Sequence, residues 1–210
     1  MKITVFGATG GTGRLLVRQA CEAGHQVTAV VRDVSRLTGA HPLLTVVQTD
    51  VTDPDALGPA VKGADAVICT LGPRGVRAPT TVRTDAVASI IRAMRAEGVH
   101  RLVVVTAAGI VTDGDGPLTR LLLKPILRRV LRYSYDDMRR TENVVRASGL
   151  RWTIVRPGRL TDGPWTGRYR RAVDRNVRGG LSISRADLAD CLLRCAVDGG
   201  PLEAALAVAR

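Results

Sequence analysis

Aromatic residues are scarce: one Phe, two Trp and three Tyr make up 3% of 210 residues. Few platforms are left on which unpaired bases could stack, which argues against a nucleic-acid role despite the charge. Lysine is as rare. Lys2, Lys62 and Lys124 are the only ones among 31 basic residues, so arginine carries the charge. No run approaches the roughly eighteen apolar residues that a membrane span needs. The first residues already read as a strand, which leaves no room for a signal peptide. The four cysteines, Cys21, Cys69, Cys191 and Cys195, show neither C-x-x-C spacing nor a nearby histidine. A reduced, cytoplasmic protein without a bound metal is the plain reading.

What is present suits one α/β domain over residues 1–210, with 45% hydrophobic residues to fill a core and a mean hydropathy of +0.08. The formal net charge is +12 and the pI is about 10.8, which attracts phosphate-bearing ligands of any kind.

The organising stretch is Lys2-Ile3-Thr4-Val5-Phe6 running into Gly7-Ala8-Thr9-Gly10-Gly11-Thr12-Gly13, after which Arg14-Leu15-Leu16-Val17 starts a helical pattern. Strand, glycine turn and helix in this order form a pyrophosphate cradle. Gly7 turns the chain, Gly10 clears the approach of the phosphates, and Gly13 lets the helix lie close. The helix N-terminus then offers free N–H groups and a positive dipole end. The spacing is G-x-x-G-x-x-G. Gln26–Val31 reads as the second strand, with Arg32-Asp33 at its tip and Arg36 beyond. An acidic residue there grips a ribose 2′-hydroxyl, whereas arginine accommodates a 2′-phosphate. Arg32 comes first and Arg36 supports it, which favours NADP(H) over NAD(H); a solvated arginine is the bland alternative.

Leu43–Gln48 reads as a third strand leading to Asp50-Val51, either an adenine-side pair or a helix cap. Asp65–Thr70 reads as a fourth strand, and Leu71, Gly72 and Arg74 border the cleft beyond it. A helix over 81–97 precedes a fifth strand at His100–Thr106, followed by Ala107. The segment 118–140 is apolar and basic together, and Pro125 is expected to kink or break it. It reads as a helix covering the sheet, or else as a substrate lid or dimer contact. Asp136 to Ser148 reads as helix, and Arg151 to Gly158, including Pro157, as a sixth strand and its loop. Residues 159–180 read as loop, Ser184-Arg185-Ala186-Asp187 as a capping box, and Glu203 to Ala209 as a final strand. The alternation predicts a Rossmann-like, doubly wound, mostly parallel sheet with helices on both faces. Segments at about 112–140 and 158–182 fall on the substrate side.

The glycine turn, Val31-Arg32-Asp33, Asp50-Val51, Leu71-Gly72, Ser148-Gly149-Leu150 and Arg156-Pro157-Gly158 together resemble the atypical short-chain dehydrogenases. The nearest branches are the NmrA-like NAD(P)-binding proteins and the flavin reductase (biliverdin reductase B) group. The resemblance runs from residue 1 to about 198, with 112–135 fitting poorly. It implies that Gly7, Thr9, Gly10, Gly11, Thr12 and Gly13 hold the pyrophosphate, and that Arg32 and Arg36 take the 2′-phosphate. It also implies Asp50-Val51 at the adenine edge, Leu71, Gly72 and Arg74 along the cleft, and Thr106, Ala107 and Pro157 near the nicotinamide.

The chain departs from the family in its catalytic residues. The Tyr-x-x-x-Lys dyad, in which lysine lowers the tyrosine pKa, is replaced by Tyr135 and Arg139. Ala107 stands where the flavin reductase group has a serine, and Gly158 where it has a substrate-loop histidine. Candidate catalytic residues are therefore Tyr135, Thr106 and Arg139, although Tyr135 is equally a packing residue. The leading expectation is an NADPH-dependent reductase acting on a flavin, quinone or carbonyl/enone acceptor, as monomer or homodimer. The alternatives are an NmrA-like NADP(H)-binding redox sensor without catalysis, and an isomerase or cyclase.

Overall fold

The computed structural model describes residues 1–37, 39–72, 78–116, 121 and 124–210. Four apolar runs form the middle of the sheet: β1 (Lys2–Phe6), β4 (Ala66–Cys69), β5 (Arg101–Val105) and β6 (Arg151–Pro157). They are buried almost throughout, as strands covered on both faces of a parallel sheet must be. β2 (Gln26–Val31) and β3 (Leu44–Gln48) extend one side. The other side is extended by β8 (Arg170–Val173) and β10 (Ala204–Ala209), while β7 (Arg159–Thr161) and β9 (Ser182–Ser184) form a separate parallel pair. The eight-stranded order is β3-β2-β1-β4-β5-β6-β10-β8, parallel except for β8. Strand order reverses at β1 and β4, so the open crevice lies outside their carboxyl ends.

Side chains alternate across the sheet with period two. Ile3, Val5, Val27, Ala29, Ile68, Val103 and Val155 face α1 (Gly11–Glu22) and α6 (Arg185–Val197). Phe6, Val30, Val67, Leu102, Val104 and Ile154 face α2 (Pro54–Val61), α3 (Val82–Ala96) and α5 (Arg132–Arg146). This is the expected doubly wound Rossmann-like architecture.

The structure refines the expected boundaries in three places. The expected break at Pro125 adjoins residues 122 and 123, outside the described ones; the short α4 is described over Lys124–Val130, and Leu131 separates it from α5. α5 begins at Arg132, four residues before the expected Asp136. Residues 159–180, expected to be loop-rich, contain β7 and β8, and β9 follows at Ser182–Ser184. Among the described residues no helix is long and apolar enough to cross a membrane.

Candidate functional site

The glycine turn is built by close approach. Gly7 adopts φ +83°, and a Cβ there would stand 2.7 Å from Thr70 Oγ1 and 2.9 Å from the Thr70 carbonyl carbon. A Cβ on Gly13 would stand 2.1 Å from the Gly7 carbonyl oxygen, so only glycine lets α1 start against the turn. The Gly10 N–H donates to the Gly7 carbonyl at 3.0 Å, and the Thr70 hydroxyl, just past β4, donates to the Phe6 carbonyl at 3.0 Å. Turn and crevice wall are thus one unit.

The N-terminus of α1 has no side-chain cap and no acidic residue in its first turn. α2, α3 and α6 differ, whereas α5 also starts without a side-chain cap or an acid in its first turn. Asp53 caps α2 and Ser184 caps α6, while the amides of Arg83 and Thr84 in α3 donate to the Asp137 carboxylate of α5. Orphan N–H groups and a positive dipole end face the crevice from α1, an anion cradle bared by glycine. These residues fit a pyrophosphate.

At the tip of β2, Arg32 and Arg36 are exposed, and Arg14 donates to the Arg36 carbonyl at 2.9 Å, tying this turn to α1. The Asp33 carboxylate accepts from the Ser35 amide at 3.1 Å and hydroxyl at 2.6 Å, capping a 3-10 turn at Val34–Arg36. Asp50 accepts from the Thr52 amide and hydroxyl at 3.0 and 2.9 Å. Those bonds, helped by the nearby charge of Arg32, hold its carboxyl below the usual range. Val51 packs against the α2–α3 face.

Leu71 and Gly72 follow β4, and Arg74 lies outside the described residues. The Arg83 guanidinium reaches back to them: Nε donates to the Leu71 carbonyl at 3.0 Å, and a Cβ on Gly72 would stand 3.2 Å from Nη2. Burial pulls the pKa of Arg83 down, and Asp137 opposes this.

At the end of β5, Thr106 is buried and donates to Glu142 Oε1 at 2.8 Å. Glu142 also takes both prongs of Arg156, at 2.8 and 2.5 Å. Ala107 is half-buried and Pro157 buried at the end of β6. Tyr135 packs its hydroxyl onto Gly109, where a Cβ would stand 2.1 Å away. Arg139, one turn along α5, pairs with Asp136 at 3.2 Å and donates to the Ile110 carbonyl at 3.4 Å. The turn residues, Leu71, Gly72, Thr106, Ala107 and Pro157 thus border one edge of the sheet. A cavity of about 400 Å³ lined by Lys2, Gln26, Thr28 and Lys62 lies at the opposite ends of the strands.

Two residues without a sequence signature also stand at the site. Arg185 begins α6, and its Cδ and Nε would lie 2.8 and 3.0 Å from a Cβ on Gly11. Its partner is the carboxylate of Asp162. Neither position announces itself, because only the packing of α6 beside α1 brings them there.

A family profile described as NAD(P)H-binding matches residues 7–198. An uncharacterized chloroplastic protein of Arabidopsis thaliana is 32% identical over 176 residues, covering 79% of this chain and 61% of that protein. A 3-diazoavenalumate denitrifying reductase from a Streptomyces species is 32% identical over 185 residues, covering 80% of this chain and 58% of its own. The chain therefore spans less than two thirds of the length of these two relatives. Among solved structures, a short-chain dehydrogenase/reductase of Veillonella parvula DSM 2008 in complex with NADP matches with TM-score 0.82 at 20% identity, over 100% of this chain and 94% of that one. A candidate NADH-flavin reductase of Streptococcus pneumoniae TIGR4 matches with TM-score 0.80 at 24% identity, over 100% and 99%. Both structural likenesses are likenesses of fold.

Proposed function

The chain belongs to the NAD(P)H-binding family, and from that premise we propose an NADPH-dependent oxidoreductase of the atypical short-chain dehydrogenase type, near the NmrA-like and flavin reductase branches. The observation that carries the reading is the uncapped start of α1 behind the Gly7–Gly13 turn. NADPH, when bound, supplies the hydride, and the acceptor is a flavin, quinone or carbonyl/enone.

The chain's own residues bind and orient. Gly7, Thr9, Gly10, Gly11, Thr12 and Gly13 receive the pyrophosphate on backbone amides. Arg32 and Arg36 receive the 2′-phosphate; Asp33, turned to Ser35, caps the turn rather than gripping a ribose. Asp50-Val51 and Leu71-Gly72 border the adenosine and the crevice, with Ala107 and Pro157 on the nicotinamide side. Thr106, whose proton is committed to Glu142, sets the end of β5. The Tyr135 hydroxyl beside Gly109 is the proton donor where the acceptor needs one, with the cationic Arg139 one turn along α5.

The test is NADPH oxidation with FMN and simple quinones, with NADH as the control. Turnover preferring NADPH, lost on Arg32→Ala while NADH turnover persists, supports the reading. Binding of NADPH without turnover of any acceptor turns the reading to a redox sensor. The exposed Ile126 and Val130 of α4 would then be its partner surface.

A further inference from the structure

The turn holds four glycines, and the phosphate-cradle spacing uses three of them, Gly7, Gly10 and Gly13. The fourth, Gly11, faces Arg185. A Cβ at Gly11 would stand 2.8 Å from Arg185 Cδ and 3.0 Å from Nε, so the missing side chain at Gly11 is the space that the Arg185 side chain fills. The placement is built rather than incidental. α6 packs along α1, with Leu16, Val17, Leu188 and Leu192 in one buried cluster, and Gln19 Nε2 donates to the Ala186 carbonyl at 3.1 Å. From that anchored first turn of α6, Arg185 reaches back to the start of α1.

A guanidinium in this position stands at the positive end of a helix whose first turn contains no acid, an arrangement that helix electrostatics disfavour unless an anion joins it. The anion now present is Asp162, whose side chain is 90% exposed against 30% for Arg185. Such a solvent-facing pair holds weakly. A phosphate offers a guanidinium two oxygens and also meets the orphan amides of α1, so it outcompetes a lone exposed carboxylate.

We propose that Arg185 is a further pyrophosphate ligand, parked on Asp162 across Gly11 and exchanged onto the phosphates when the dinucleotide enters. The proposal rests on the reading that the glycine turn receives a dinucleotide. It assigns α6, on the far side of the sequence, a direct part in cofactor binding, and it gives Asp162 the role of a stand-in anion.

The experiment is equilibrium titration of wild type, Arg185→Gln, Asp162→Asn and Arg32→Ala with NADPH, NADH, ADP-ribose and 2′-AMP, with melting temperatures recorded alongside. Loss of one charge-assisted contact corresponds to about tenfold in affinity. Arg185→Gln should weaken NADPH, NADH and ADP-ribose by that factor and leave 2′-AMP, which has no pyrophosphate, unchanged. Arg32→Ala should show the opposite selectivity, and Asp162→Asn should tighten ADP-ribose by removing the competitor. Arg185→Gln affinities within twofold of wild type overturn the proposal, as does a loss shared by 2′-AMP with a lowered melting temperature. If the wild-type chain binds no nucleotide, the dinucleotide reading itself falls, and the role of Arg185 falls with it. Wild-type binding with an indifferent Arg185→Gln removes Arg185 alone.

Discussion

Gly109 decides where Tyr135 can be. An alanine methyl there would stand 2.1 Å from the phenolic oxygen and 2.6 Å from Cζ, so the ring must leave its place. Overpacking of this kind costs about 1–3 kcal/mol. Tyr135 sits with Ile110 and Met138 in a small apolar cluster of its own, apart from the two main cores. Gly109→Ala should therefore leave NADPH affinity unchanged while lowering acceptor turnover by about a hundredfold or more, the range for a displaced general acid. Turnover that survives the substitution, with the melt showing the cost, would leave Tyr135 a packing residue. Thr106 stands differently. Its hydroxyl hydrogen is given to Glu142, which is itself clamped by Arg156, so the buried triad shapes the sheet edge beneath the crevice.

At the scale of elements, α3 and α5 are joined by a cap that crosses between them. Asp137 is fully buried and accepts from the Arg83 and Thr84 amides, each at 3.2 Å, and from the Thr84 hydroxyl at 2.6 Å. It also faces the buried Arg83 guanidinium. Asp137→Ala removes a cap and strands a buried cation, so it should cost about 3 kcal/mol in urea unfolding. Asp137→Asn, which keeps an acceptor but not the charge, should cost less; equal costs would show that the charge rather than the acceptor carries the stabilisation. The loop over 162–168 depends on α6 in the same way. The Asp187 carboxylate accepts from the Thr166 amide, the Thr166 hydroxyl and the Gly167 amide at 2.7, 2.9 and 2.9 Å. Burial pushes its pKa up, but the hydrogen bonds outweigh that and hold it below the ordinary carboxylate value. A lowered folded pKa means that the tether contributes fully above the unfolded value, about 4, and is lost as pH falls through the folded one. Anisotropy of Trp165, in a Trp152→Phe background, should drop at that acidic step, and Asp187→Asn should show the low value already at neutral pH. These elements also mark how far the sequence could be read. The glycine turn and strands β1 to β6 rest on local pattern and period, and they stand where that pattern predicted. The capping box at Ser184 was legible only by half: the Ser184 hydroxyl accepts the Asp187 amide at 2.9 Å, but Asp187 turns to the loop. β7, β8 and β9 are strands of three, four and three residues, too short for alternation to show, and β8 opens with two arginines. Arg185 and Asp137 depend on contacts between distant segments, for which no local spacing gives notice.

At the scale of the whole molecule, charge is the dominant property. The arginines at the open edge of the sheet, Arg170 and Arg171 on β8, are exposed and guard against strand addition by another chain. With a net charge of +12 the same field draws anionic ligands toward the surface, and salt screens it over a Debye length of about 10 Å at 0.1 M. NADPH carries a further phosphate worth about −1.5 to −2 charges over NADH. The association rate for NADPH should therefore fall by about tenfold as ionic strength rises from about 0.01 to 0.5 M, and that for NADH by distinctly less. Dissociation rates should change little for either, because steering acts on encounter rather than on the docked contacts. Stopped-flow binding at several salt concentrations separates the two rates. Equal salt slopes for the two nucleotides would mean that the 2′-phosphate meets no special field, and Arg32 and Arg36 would lose their assignment even if both nucleotides bind. A steeper NADPH slope that flattens to the NADH value in Arg32→Ala would trace the steering to the tip of β2 rather than to the charge of the chain as a whole.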